Sequence, residues 1–292
     1  MASPFTSPPP ARPEAVVVPG GSAPAPAPPP WPGWLGPVAL LTALILTSVL
    51  GAVAVAIMGS AGVNIDHVDK GGVAIALTYL QDVTFIGTVL LVARFGGHKV
   101  RAGELGIRVP AVGPTVRWVG FAVVAYAVFA LVFTALVHPS SDDNLFHSLG
   151  IHRNAAGSVA ALAVLVCVLA PIAEELLFRG FMFQAMRQWG GPWVAAVLVG
   201  LLFGGIHAFG GTPAILLVQL AVLGFLFCLV RWKTDSILPT IGLHAINNSL
   251  AFGSLEGWSW QSAPLLIGSV ALALAVVAPF VRSDWRARRP LA

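Results

Sequence analysis

Long apolar runs separated by short polar or basic breaks dominate this chain. The run from Leu35 to Met58 is followed by others at about 71–93, 116–137, 157–186, 192–210, 213–230, 237–254 and 263–281. Each reaches or approaches the ~20 residues that a bilayer-crossing helix requires. The pattern predicts an all-α fold, a polytopic membrane bundle of about eight transmembrane helices, with Asn247 and Asn248 interrupting the seventh run. Residues 1–33 lack the pattern. They consist mostly of Pro, Ala, Gly and Ser, too little apolar surface to fold, which predicts a disordered, partly polyproline tail. Residues 34–282 then form the transmembrane domain and 283–292 a short basic tail. No basic segment precedes the first run, and that run is too long for a signal-peptide core, so it reads as a membrane helix.

Composition supports the same class. With 57% hydrophobic and 10% charged residues, the chain lies outside the range of soluble globular domains. Its net charge of +4 invites a nucleic-acid reading, but Lys and Arg fall at the ends of apolar runs rather than on one patch, which excludes it. Those ends are informative. Arg94, Arg101, Arg117, Arg187, Arg231 and Arg282 fall on one side of an eight-span arrangement, against Lys70 and Arg153 on the other, so both termini are expected in the cytoplasm. Arg far outnumbers Lys, which together with the Pro-Ala tail suggests a bacterial plasma membrane. Trp118, Trp189, Trp193, Trp232, Trp258 and Trp260 lie near run ends, as an interfacial belt requires. Cys167 and Cys228 sit inside apolar runs and read as buried thiols.

Polar chemistry inside the runs is the exception that matters, because ionisable groups are costly in a bilayer core and mark functional sites. Glu174 and Glu175 are followed by Arg179; Phe203 is followed by His207, and His244 by Asn248. Neighbours four apart share a helix face, so Arg179 is expected to neutralise Glu175. Glu174 points about 100° away and is left to face a cavity. A carboxylate in an apolar setting beside a second one is the type of group that serves as general base, which makes Glu174 the candidate. Spans four and five should form a hairpin turning at Gly190 and Gly191, with Glu174 and His207 at equal depth. Span four, roughly 45 Å long against a ~30 Å hydrocarbon core, should project beyond the membrane so that His244 can reach the same level. Gly200, Gly204 and Gly205 would allow close helix contact. His244 and Asn248 share a face and can hold one water, metal or carbonyl, and Asn247 lies on that side too. Pro171 should kink span four and free backbone groups beside the site. Gln81 and Asp82 in span two either line a polar cavity or bond to their neighbours, of which the second is expected. The loop carrying His138, Asp142, Asp143, His147 and His152 has no recognised ligand spacing and reads as solvated.

The three signatures, Glu174-Glu175-x-x-x-Arg179, Phe203-x-x-x-His207 and His244-x-x-x-Asn248, resemble those of the CAAX-protease and bacteriocin-processing (CPBP, or Abi) family of intramembrane metalloendopeptidases, in the same order and without departure at a defining position. The resemblance covers about residues 157–255. It implies an all-helical membrane peptide hydrolase with its site open to the cytoplasm and Glu174 activating a water. His207, His244 and Asn248 would bind that water, a metal or the tetrahedral oxyanion, and Glu175 and Arg179 would support them. A divalent metal such as zinc would fall to His207 and His244, a thin set for an ion that takes three protein ligands in catalytic sites. The implied partner is a membrane-associated peptide or protein, and the sequence assigns no oligomeric state. A non-catalytic scaffold or bacteriocin-immunity protein would retain the same motifs. A proton or solute transporter would also bury Glu and His, but no internal repeat supports it.

Overall fold

The computed structural model describes residues 31–62, 70–137, 156–210 and 212–287. The predicted tail up to residue 30, the His- and Asp-bearing loop at 138–155 and the last five residues lie outside the described residues. Helices α1 (Leu35–Ser60), α2 (Lys70–Val92) and α3 (Val112–Val137) come first. A long arm α4 (156–189) turns back into α5 (192–206), and α6 (Ala214–Thr234), α7 (Leu238–Leu255) and α8 (Ser262–Ala287) complete the order. Among the described residues, six helices are long and apolar enough to cross a membrane. One of these is the 54-residue stretch Ala156–Phe209, which contains both α4 and α5. The 18-residue α7 is not among the six. The two asparagines dilute its apolar character without breaking the helix.

The reversal in that stretch is local. Gly190 and Gly191 leave helical geometry, and Gly191 adopts φ 73°, a backbone region closed to most side chains. Pro192 follows, at a first helical position where its missing donor costs nothing. The rings of Phe178 and Phe203, 5.2 Å apart, show that α4 and α5 run back along each other.

Burial divides the bundle into a centre and a sheath. Every residue from Pro171 to Met186 on α4 is buried. On α1 and α3, by contrast, Leu41, Ile45, Ile57, Leu131 and Leu136 project outward, an apolar face suited to lipid. The projecting end of α4 is wrapped rather than left to solvent. Trp31 packs on Phe181 at 4.9 Å and donates its indole N–H to Ala93 O, while the Gln188 amide donates to Trp31 O. The α2–α3 loop lies against the same end, with Leu105 O beside Gly180. Ile237 N donates to Gly106 O, and the Ser236 hydroxyl donates to Arg108 O.

Helices α5 and α6 touch through glycine. A Cβ at Gly200 would lie 2.8 Å from Ala221 O, and one at Gly204 would meet Leu217 O at 2.5 Å. Gly205 faces open space and takes no part in that contact.

Candidate active site

The signature residues of α4 lie in a helix that changes pitch twice. Leu165–Leu169 and Glu175–Met182 are π-helical, with Ala170–Glu174 between them in α-geometry. Wide turns of this type re-aim side chains and recur at functional positions. Pro171 explains part of the first one. In the i→i−5 pattern, where Ala170 N bonds Leu165 O, the next donor would serve Val166 O, and Pro171 has none. Asn248 fills that role from α7, its Nδ2 donating to Val166 O at 2.8 Å. Its Oδ1 accepts from Asn247 Nδ2. Both ends of the Asn248 amide are thereby engaged, and the carbonyl it holds belongs to the kinked helix.

Glu175 and Arg179 form the expected pair, 2.8 Å apart and both fully buried. Arg179 also donates to Gly224 O and lies between the rings of Phe203, at 4.3 Å, Phe227 and Phe178. Such a cage offsets the loss of water around the guanidinium.

His244 joins the two acids. Its Nδ1–H donates to Glu175 Oε1 at 3.1 Å, which fixes the tautomer and leaves Nε2 3.7 Å from Glu174 Oε2. Sequence spacing on a regular helix separates Glu174 from Glu175 by about 100°. The structure differs, because the wide turn beginning at Glu175 and the entry of α7 from the side let one imidazole face both. Glu174 nevertheless keeps the distinct character expected of it. Glu175 Oε1 is shared by two donors, Arg179 and His244, whereas Glu174 meets His244 only at 3.7 Å; Oε2 of each acid is buried without a hydrogen-bond partner among the described residues.

His207 begins a short 3₁₀ turn at the end of α5 and donates Nδ1–H to Phe203 O at 2.7 Å. Its ring contacts Phe203 at 5.1 Å, and Phe203 contacts His244 at 5.8 Å. Among the described residues His207 therefore joins the cluster through an aromatic ring and not through an acid. Phe203, flanked by two imidazoles, a guanidinium and Phe178, is the hub that sequence reading left as a motif letter.

Among the described residues no three His, Cys, Asp or Glu side chains converge as a metal-holding group. The Nδ1 atoms of both histidines are engaged by Phe203 O and Glu175, which leaves Nε2 as the ring nitrogen through which either would hold a metal.

Asp82 is the residue whose surroundings differ most from expectation. Neighbouring helices were expected to satisfy it, yet it is fully buried and neither carboxylate oxygen has a partner among the described residues. The general rule that an acid inside a membrane span marks a site would have found it. Gln81 lines a lateral groove of about 570 Å³ between α1 and α2.

Residues 156–250 match the family described as type II CAAX prenyl endopeptidase Rce1-like. This segment is similar to the Rce1-like family over about a third of the chain. All six signature residues, and Phe203 with them, fall inside the Rce1-like segment, whereas α1, α2 and α3 lie outside it. The chain is also 31% identical over 143 residues to an uncharacterized protein, YyaK, of Bacillus subtilis (strain 168), a match spanning 45% of this chain and about half, 46%, of that relative. No solved structure matches the chain.

Proposed function

We propose that this integral membrane protein is a CAAX-protease-type endopeptidase that hydrolyses a peptide bond of a membrane-associated substrate, with Glu174 activating the attacking water. The observation that carries the reading is Oε2 of Glu174, without a hydrogen-bond partner among the described residues and 3.7 Å from His244 Nε2, in a ring whose opposite nitrogen is fixed by Glu175. Glu174 takes one proton from water as the oxygen attacks the carbonyl carbon. In its protonated form His244 presents an N–H at Nε2 to the same space, where it stabilises the oxyanion. Collapse of the intermediate breaks the C–N bond, and Glu174 returns its proton to the leaving amine. Water and peptide thus become an acid and an amine. Glu175 and Arg179 hold His244 in register, and Asn248 holds the kinked backbone beneath Glu174.

The positive-inside argument supports a cytoplasmic assignment for the end where Arg94, Arg187 and Arg231 lie, in a bacterial plasma membrane with both termini on that side. Access from this end is the reading that the position of His244, less than two turns into α7, supports.

The test uses the full chain in proteoliposomes with a library of membrane-anchored peptides, wild type against Glu174→Ala, with and without chelator. Cleavage should fall at least about a thousandfold in the variant, at an unchanged level of inserted protein. Equal cleavage by both would remove Glu174 from the mechanism. Loss of wild-type cleavage on chelation, reversed by a divalent ion, would add a metal to the site.

A further inference from the structure

Cations at the basic end of the bundle outnumber the acids that could answer them. Arg94, Lys99, Arg101, Arg117 and Lys233 are exposed there, and among the described residues none of them forms an ion pair. The acids whose side chains are described at this end are already engaged. Glu104 lies 2.9 Å from His98 Nε2 and accepts from Arg101 N, while Asp235 receives Arg108 and Arg231. The Arg108–Asp235 pair joins the α2–α3 loop to the end of α6, and Trp118 near the start of α3 reaches Lys233 on α6, so loop and helix ends share one surface.

Lys233 is held in a particular way. Its ammonium lies 3.7 Å over the Trp232 ring and 5.3 Å from that of Trp118, and Trp193 meets Trp232 edge to face at 5.7 Å. Indoles of membrane proteins sit at headgroup level, and a cation over their faces is fixed in place without losing its charge. Outward apolar side chains stand beside the cations. Val116 precedes Arg117 and is 67% exposed; Phe95 follows Arg94 and meets the outward ring of Trp34 at 5.5 Å. A water-soluble anion would answer the charges and leave these apolar groups uncovered, whereas a phosphate joined to hydrocarbon chains answers both. The preference for basic residues on one side of a membrane requires charged loops, but it does not set an ammonium between two indoles.

We propose that Arg117, Trp118, Trp232 and Lys233 form a binding surface for the phosphate headgroup of an anionic phospholipid, with Arg94, Lys99 and Arg101 adding attraction at the same end. Anionic headgroups draw cations that lie within a Debye length, and each Lys or Arg strengthens the attraction. The surface lies apart from Glu174 and His244, so the proposal goes beyond the proteolytic reading and stands without it.

The experiment titrates the full chain in non-ionic detergent with phosphatidylglycerol or phosphatidylcholine and counts bound lipid by native mass spectrometry. Wild type should bind phosphatidylglycerol at least about tenfold more tightly, since the choline group offsets the phosphate charge of the other lipid. Arg117→Gln with Lys233→Gln should weaken phosphatidylglycerol binding about 10- to 30-fold and leave phosphatidylcholine unchanged. Arg117→Gln alone, which breaks no ion pair, should weaken it about fivefold and keeps the test independent of the Lys233–indole contacts. Lys233→Arg, which keeps the charge over the indoles, should stay within about twofold of wild type. Equal affinity for the two lipids, or unchanged phosphatidylglycerol affinity in the Arg117→Gln and double variants, would overturn the proposal. So would displacement of phosphatidylglycerol by an equal concentration of inorganic phosphate or of an acidic peptide, because the apolar neighbours would then contribute nothing.

Discussion

Two acid–base pairs in this protein share one sequence spacing and differ in almost everything else. Glu175–Arg179 and Arg231–Asp235 both join residues four apart at 2.8 and 2.9 Å. The first has no exposed surface on either partner and lies at the centre of the bundle, under His244 and between phenylalanine rings. The second sits at the C-terminal end of α6, where Arg231 is buried but the Asp235 side chain is 55% exposed. There it clasps loops. Asp235 takes a left-handed backbone conformation as the helix ends, receives Arg108 as well as Arg231, and helps fasten the α2–α3 loop over the end of α4. Glycine is needed at position 106 for this fit, because a Cβ there would lie 2.6 Å from Arg231 Nε. Spacing brings such partners together, and environment decides what separating them costs.

The sharpest way to break the comparison is Arg179→Met, which leaves Glu175 buried without its cation. Loss of one partner of a buried pair costs about 3–5 kcal/mol, read as a lower Tm and less inserted protein. Removing both charges with Glu175→Gln as well should recover part of that loss, since an uncompensated charge is the main penalty. At the clasp, Asp235→Ala should cost less, about 1–3 kcal/mol, because solvent screens the half-exposed acid even though the buried Arg231 loses its partner. A loss as large as that of Arg179→Met would show that the two pairs are energetically alike. Smallest of all is Lys233→Ala. Its ammonium lies 3.7 Å over Trp232 and 5.3 Å from Trp118 on an exposed surface. The expected cost is about 0.5–1 kcal/mol, again by thermal denaturation.

Other parts of the molecule were legible to different degrees, and the reasons are physical. The hairpin at Gly190 and Gly191 follows from two glycines and a proline between apolar runs, and the contact of Phe178 with Phe203 is what that turn requires. The convergence of α7 on α4, expected from the excess length of span four, is seen in the contact of His244 with Glu175. By contrast, the packing of Trp31 against Phe181 and Ala93 was hidden by the Pro-rich composition around it. Gly205 belongs to the same glycine-rich run as Gly200 and Gly204, yet a Cβ there would meet nothing within 4 Å, because only a stripe of a helix can touch its neighbour closely.

The membrane class, the helical spans, the Glu175–Arg179 pair and the kink before Glu174 were determined by the sequence alone. These depend on hydropathy, helical period and the missing donor of Pro171, all of which act over a few residues of one chain segment. Tertiary structure alone decided that Asn248 would serve Val166 O, that one imidazole would face both acids, and that Asp82 would be fully buried. Those relations join different helices, and their distances depend on rotation and depth in the bundle, which packing sets and linear spacing does not encode.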